Sequence, residues 1–281
     1  MGENPQEQND WDSGIPPTIW HAPCEDVTTF KKEFLWFQVV EGSNDRIRSE
    51  VPPEHLPTHA GPAMRVEVMH GDYAWNPWSM NDIPGGWRAE ARAWTEHESD
   101  KVISYRWSTM LSPEYPQNPH VADTNAPPER QGKPIWQVIT QWHQGDNDPG
   151  TFPPMAVIIE GDKIMLDLNR LKAGSAVSEE DGKWPVCDLD PGEWHHFRAD
   201  IRWHRSKGTV QVWHNEAPVE FDVNGEKVHQ LTGRSTVYAL ENQSSTPEVY
   251  MKIGLYREAW RTEPAGAFIL YHDEVYREEA S

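Results

Sequence analysis

The run Tyr250-Met251-Lys252-Ile253-Gly254-Leu255-Tyr256-Arg257 leaves little choice of backbone. With the two-residue period of a strand, Val249, Met251, Ile253 and Leu255 fall on one face, and Tyr250, Lys252, Gly254 and Tyr256 on the other. One face is suited to a core. The other offers a phenol, an ammonium and a second phenol around a glycine gap, a set expected on the floor of a groove that receives something polar and anionic. The same period returns at Met64–His70 and Trp87–Trp94, where Arg88, Glu90, Arg92 and Trp94 oppose three alanines. It returns again at Lys101–Leu111, with Ser104, Arg106 and Ser108 opposite Tyr105, Trp107 and Thr109.

Further strands are expected at Phe30–Val40, Ile135–Gln144, Thr209–His214 and Phe268–Tyr276. A hairpin is expected where Met155–Ile159 meets Lys163–Leu168 across Glu160-Gly161-Asp162, and a hairpin turn at Asn224-Gly225. Between them lie Pro-rich Glu50–Pro62 with His55 and His59, the long segment Ser112–Lys133 and the polar stretch Ala173–Trp184, all read as loop. No segment reads as an amphipathic helix. A dozen or so strands, 24 Pro, 19 Gly and 15 Trp in 281 residues predict an all-β chain of two stacked, curved antiparallel sheets. Residues 1–24 read as a flexible polar tail and 25–281 as one domain.

The formal net charge of −20 argues against nucleic acid or an anionic membrane as partner, so an anionic substrate must meet a local cationic patch. No apolar run is long enough to cross a bilayer, and the first residues carry no secretory h-region. A secreted or periplasmic protein is expected if a leader has been removed, and the compartment is otherwise open. Cys24 and Cys187 permit one disulfide without requiring it, and no Cys-x-x-Cys or Cys/His spacing points to zinc. His195, His196, His204 and His214 are expected to be surface or satisfied structural histidines.

The opening Gly192-Glu193-Trp194-His195-His196-Phe197, followed by strand, turn and strand, resembles concanavalin-like sandwich domains. Three strand motifs, Arg88-Ala-Glu90-Ala-Arg92, Gln141-Trp-His143 and Tyr250-Met-Lys252-Ile-Gly254-Leu-Tyr256, resemble in kind and order those of jelly-roll polysaccharide lyases, the group that holds alginate lyases, heparin lyase I and glucuronan lyase. The resemblance extends loosely over Ala63–Arg277 and implies a β-jelly roll with a groove for a polymer. Trp142 stands where alginate lyases usually have a small aliphatic residue, and Arg257-Glu258 where they tend to have Asn-Gln. Both departures favour a glucuronan- or heparin-like substrate over alginate.

The chemistry explains those residue types. A lyase on a uronate polymer removes the weakly acidic C5 proton and expels the 4-linked oxygen, so fixed donors must hold the developing charge of the carboxylate. Arg88 and Gln141 are candidates for that task. Tyr256 resembles the family's catalytic tyrosine, and His143 its partner base or neutraliser. Whether His143 or Tyr256 takes the proton depends on whether it lies syn or anti to the leaving oxygen. Arg92, Glu90, Tyr250, Lys252, Arg106 and Arg257 are expected to bind substrate. No cofactor is expected for catalysis; a structural calcium with Asp273 as ligand is what the resemblance implies, and a monomer is expected.

Each strand alone has a plainer reading: an Arg–Glu ladder, polar residues beside a core Trp142, and tyrosines as ordinary β-formers. Their joint occurrence favours function. A lectin-like binding domain would use the same groove without turnover. A retaining glycoside hydrolase would need a Glu-x-Asp-x-x-Glu strand, which Glu90, Glu96 and Glu98 do not reproduce.

Overall fold

The computed structural model describes residues 19–22, 46–52, 62–69, 73–76, 81–144, 152–173, 175–238 and 248–279, with backbone alone at 19–22, 73–76, 81–87 and 92–95. Phe30–Val40, Cys24, His55 and His59 lie outside the described residues. Among the described residues every regular element is a strand, in the jelly-roll arrangement the alternation predicts.

One sheet has nine strands: β1 (Ile19–Ala22), β2 (Ile47–Glu50), β3 (Ala63–Val68), β6 (Val102–Leu111), β12 (Trp194–Arg202), β13 (Gly208–His214), β14 (Ala217–Pro218), β17 (Gln230–Arg234) and β20 (Phe268–Glu279). The other has seven, in the order β11 (Ser178–Asp188), β10 (Lys163–Leu171), β9 (Met155–Glu160), β8 (Gln137–Gln144), β18 (Glu248–Glu258), β5 (Asn81–His97) and β4 (Tyr73–Asn76). Two small ribbons complete the set. β15 (Phe221–Val223) and β16 (Glu226–Val228) flank Asn224-Gly225, both at positive φ; β7 (His120–Val121) pairs with β19 (Thr262–Glu263) and pins the Ser112–Lys133 loop. All named pairings are antiparallel.

Two loop expectations are overturned. Ser178–Asp188 is a strand, because its backbone completes the open edge of β10 and absorbs its polar sequence in two bulges. Ile19–Ala22 lies within the stretch read as tail, yet pairs with Val275–Glu278 of β20.

The core lies between the sheets. Ala89 and Ala91 of β5 and Val249, Met251, Ile253 and Leu255 of β18 pack there as the alternation predicts. Trp142 from the seven-stranded sheet meets Tyr105 at 5.3 Å and Trp107 at 5.7 Å between ring centroids, both edge-to-face, the arrangement aromatic quadrupoles prefer. Arg277 of β20 reaches Glu96 of β5 through Nε at 2.5 Å and Nη2 at 2.7 Å, a buried bidentate pair joining the two sheets.

A second polar bridge is neutral. His272 of β20, fully buried, has Nε2 3.2 Å from the Gly254 carbonyl on the opposite sheet. A carbonyl only accepts, so Nε2 carries the proton and Nδ1 accepts from the Thr109 hydroxyl at 2.9 Å. Burial brings the imidazole down from its ordinary 6.5 to about 4. The unfolded chain therefore binds the extra proton between those values. The stabilisation is whole above pH 6.5 and is lost as pH falls toward 4, for a total of about 3 kcal/mol. Melting temperatures of the parent and His272→Gln between pH 4 and 8 should differ by a curve whose slope is confined to that window; a difference independent of pH contradicts the account.

Candidate active site

The outward face of β5, β18 and β8 gathers the three motifs. Register sets Tyr256 opposite Arg88, Gly254 opposite Glu90 and Lys252 opposite Arg92 on one side. On the other side Lys252 is opposite Gln141 and Tyr250 opposite His143. Seven of the ten expected catalytic and substrate-binding residues thus meet through side-chain contacts, and an eighth, Arg92, joins them by register with its side chain outside the described residues.

Glu90 is the hub, 2% exposed. One carboxylate oxygen accepts from the Gln141 amide. The other has Arg88 Nη1 at 3.7 Å and Lys252 Nζ at 3.9 Å, and hydrogen-bonds to neither. Arg88 Nε is likewise buried without a hydrogen-bond partner among the described residues. Buried polar groups are normally satisfied, and exceptions concentrate where a ligand completes them. The carboxylate holds two cations and an amide in position without exhausting them.

Two phenols occupy different surroundings. Tyr250 stacks on His143 with ring centroids 5.6 Å apart and its hydroxyl 3.3 Å from Nδ1. Nδ1 also lies 2.6 Å from the Gln144 carbonyl, which requires it to carry a proton and leaves Nε2 of the neutral ring with the lone pair. Tyr256 is instead covered by the Arg88 guanidinium, 3.7 Å from the ring centre. Burial raises the Tyr256 phenol above its ordinary 10.0; Arg88 opposes the rise and Glu90 adds to it. Burial and Glu90 together outweigh Arg88, so Tyr256 is a phenol at neutral pH. His143's phenolic neighbour is Tyr250, a residue expected from the sequence only to bind substrate.

Two substrate-binding expectations are corrected. Arg257 faces the core, 1% exposed, because odd positions of β18 point inward. Its Nη2 donates to the Trp260 carbonyl at 2.9 Å, its guanidinium lies 4.0 Å from the Phe268 ring centre, and burial lowers it to about 10. Arg106 is on β6 of the other sheet, paired with Glu278 at 2.8 Å, and lines a cavity of about 750 Å³ with Arg198 and Trp213. Sharing a strand period with the site does not place a residue on its sheet.

Asp273 is also on the nine-stranded sheet, its Oδ1 accepting from the Glu274 N–H at 2.8 Å. Among the described residues it joins no group of three or more carboxylate, His or Cys donors.

The sequence reading missed Trp136 and Arg130. Trp136 meets Tyr256 edge-to-face at 4.9 Å and caps an apolar patch of Val138, Ala156, Ile158 and Met165 beside the polar band. A bulge at Ile139 puts it there by reversing the phase of β8 between Val138 and Thr140. Arg130 comes from the Ser112–Lys133 loop and grips Glu258 at the end of β18 through Nε at 2.7 Å and through Nη2. A Pro-rich loop gives no period from which the Arg130 contact follows.

A jelly roll with a recessed band of cations, amide, imidazole and phenols across one sheet defines a protein built to act on carbohydrate polymers. The sequence matches the family model "Polysaccharide lyase" over residues 56–276, and the chain belongs to that family of enzymes. No curated protein matches the sequence. Among solved structures it is similar to an endo-β-1,4-glucuronan lyase from Trichoderma reesei, at 14% identity and TM-score 0.56 over 87% of this chain and 95% of that one. It is also similar to an alginate lyase from Aplysia kurodai, at 11% and 0.53 over 94% and 100%. At these identities the likeness is one of fold.

Gly254 fixes the geometry of the band. It sits at φ +147°, and a Cβ there would stand 2.2 Å from the Ala89 carbonyl oxygen and 2.7 Å from Glu90 Cα. Gly254→Ala should therefore lower stability by about 2–4 kcal/mol, read as a shift in the urea midpoint. Gly225→Ala, at positive φ but with open space around it, should cost about 1 kcal/mol. Equal costs would show that the close approach at Gly254 is not what forbids a side chain.

Proposed function

We propose that this lyase cleaves a 4-linked uronate polymer within the chain by β-elimination, with glucuronan-like or heparin-like substrates preferred to alginate. The observation that carries the reading is the Glu90 hub: Arg88, Lys252 and Gln141 are held close together, with Arg88 Nε buried and unused. A uronate carboxylate entering there would accept from donors already in place, with little reorganisation as charge develops on it. His143 Nε2 takes the C5 proton, the C5–H electrons form the C4=C5 bond, and the C4–O bond breaks. Tyr256, a phenol in the resting enzyme, gives its proton to the departing oxygen. Tyr250 holds the imidazole, and Trp136 with its apolar patch receives the face of a neighbouring sugar. The enzyme acts as a monomer on extracellular polymer.

Support for the substrate preference comes from Trp142 and Arg257-Glu258, the departures from the alginate lyase pattern, while both glucuronan and alginate lyases occur among the similar folds. The test incubates the enzyme with glucuronan, heparin and alginate and follows ultraviolet absorbance of the unsaturated uronate. Tyr256→Phe should lose about 10²-fold or more in kcat with polymer binding kept, and Tyr250→Phe less than about 10-fold. A phenol acid also predicts kcat that does not climb between pH 7 and about 10, because raising its folded value keeps the proton on over that range. A tenfold rise per pH unit would make Tyr256 the base instead. Binding without any absorbance change on all three polymers would discard the elimination.

A further inference from the structure

The fold gathers three metal-binding side chains that the sequence scatters. Cys187 is near the end of β11 in the seven-stranded sheet; His195 is the second residue of β12 and His214 the last of β13, both in the nine-stranded sheet. They meet between the sheets, where His195 Nδ1 lies 3.0 Å from His214 Nε2 and 3.7 Å from Cys187 Sγ. All three donor atoms are within 4.8 Å of one another. His195 is buried, the other two are half-buried, and Cys187 is a free thiol. The histidines are thus neither surface groups nor satisfied one by one, as their sequence context suggested.

We propose that Cys187, His195 and His214 form a binding site for one divalent transition-metal ion of the zinc class, which clamps the two sheets together at this edge of the sandwich. Tetrahedral zinc with nitrogen at about 2.0–2.1 Å and sulfur at about 2.3 Å sets its ligand atoms about 3.3 Å apart for N–N and about 3.6 Å for N–S. The observed 3.0 and 3.7 Å lie within a few tenths of those separations, and the third pair, Cys187 Sγ with His214 Nε2, lies within 4.8 Å. One thiolate with two imidazoles is a borderline-soft donor set that selects zinc or cobalt(II) over magnesium or calcium. On binding, the thiol proton leaves to solvent, the imidazole proton held between Nδ1 and Nε2 passes through solvent to the other nitrogen of its ring, two imidazole lone pairs and the thiolate bond the ion, and a water completes the fourth position. The plainer arrangement is a hydrogen-bonded histidine pair beside a core cysteine, and it predicts no affinity for metal.

The test uses full-length protein freed of metal by chelator and titrated with cobalt(II). One equivalent should bring up a sulfur-to-cobalt charge-transfer band in the near ultraviolet with visible d–d bands, and zinc should abolish both by displacement. Saturating zinc should raise the melting temperature by about 5 °C or more. Cys187→Ser should lose the charge-transfer band while its metal-free melting temperature matches the parent, and Cys24→Ser should keep the band. Should Cys187→Ser fail to fold, His214→Asn serves, with cobalt affinity expected to fall at least tenfold. No band in the parent, a band kept in Cys187→Ser or lost in Cys24→Ser, or unchanged affinity in His214→Asn overturns the proposal.

Discussion

Much of the molecule hangs on one uncharged imidazole. His272 spans the space between the sheets to hold the carbonyl of Gly254, and Thr109 fixes the tautomer that lets it do so. That carbonyl belongs to the residue whose missing Cβ leaves room for the Ala89 carbonyl of β5, with Glu90 opposite. Lys252 and Tyr256 follow on either side at the spacing of the strand. A core hydrogen bond therefore sets the height and tilt of the peptide from which the site is built. A side chain carrying charge in that position would need a counter-ion in the buried space between the sheets, where an unpaired ion is penalised.

The electrostatics of the site oppose those of the whole. A chain of net charge −20 repels an acidic polymer at long range, yet the band on β5, β18 and β8 concentrates guanidinium and ammonium groups around one carboxylate. Glu90 does two things at once: it lets cations be recessed in the sheet, and it adds to burial in keeping Tyr256 a phenol against the pull of Arg88. A neutral residue in its place would leave Arg88 and Lys252 facing one another without the carboxylate between them.

Where a strand kept its period, the sequence was informative. The inward set Val249, Met251, Ile253 and Leu255, the alanines of β5 and the band from Tyr250 to Tyr256 follow from side chains alternating across a pleat. Where the backbone slipped a residue, it was not. Trp136 reaches the site only through the bulge at Ile139, and Ser178–Asp188 becomes a strand because an edge was waiting for it. Arg106 and Arg257 show a further limit, since alternation assigns a face but not the sheet or the layer behind that face. Cys187, His195 and His214 share no spacing at all, and only the stacking of two sheets brings them together.

The two bulges of β11 reach beyond local geometry. They fall at the end of the described seven-stranded sheet, where Val186 and Asp181 are the extra residues and Pro185 lacks an N–H to offer. A regular strand in that position would present an even ladder of donors and acceptors to any passing chain. This one is kinked, charged and out of step, a poor template for strand addition, so the sheet that carries the chemistry resists self-association through its rim.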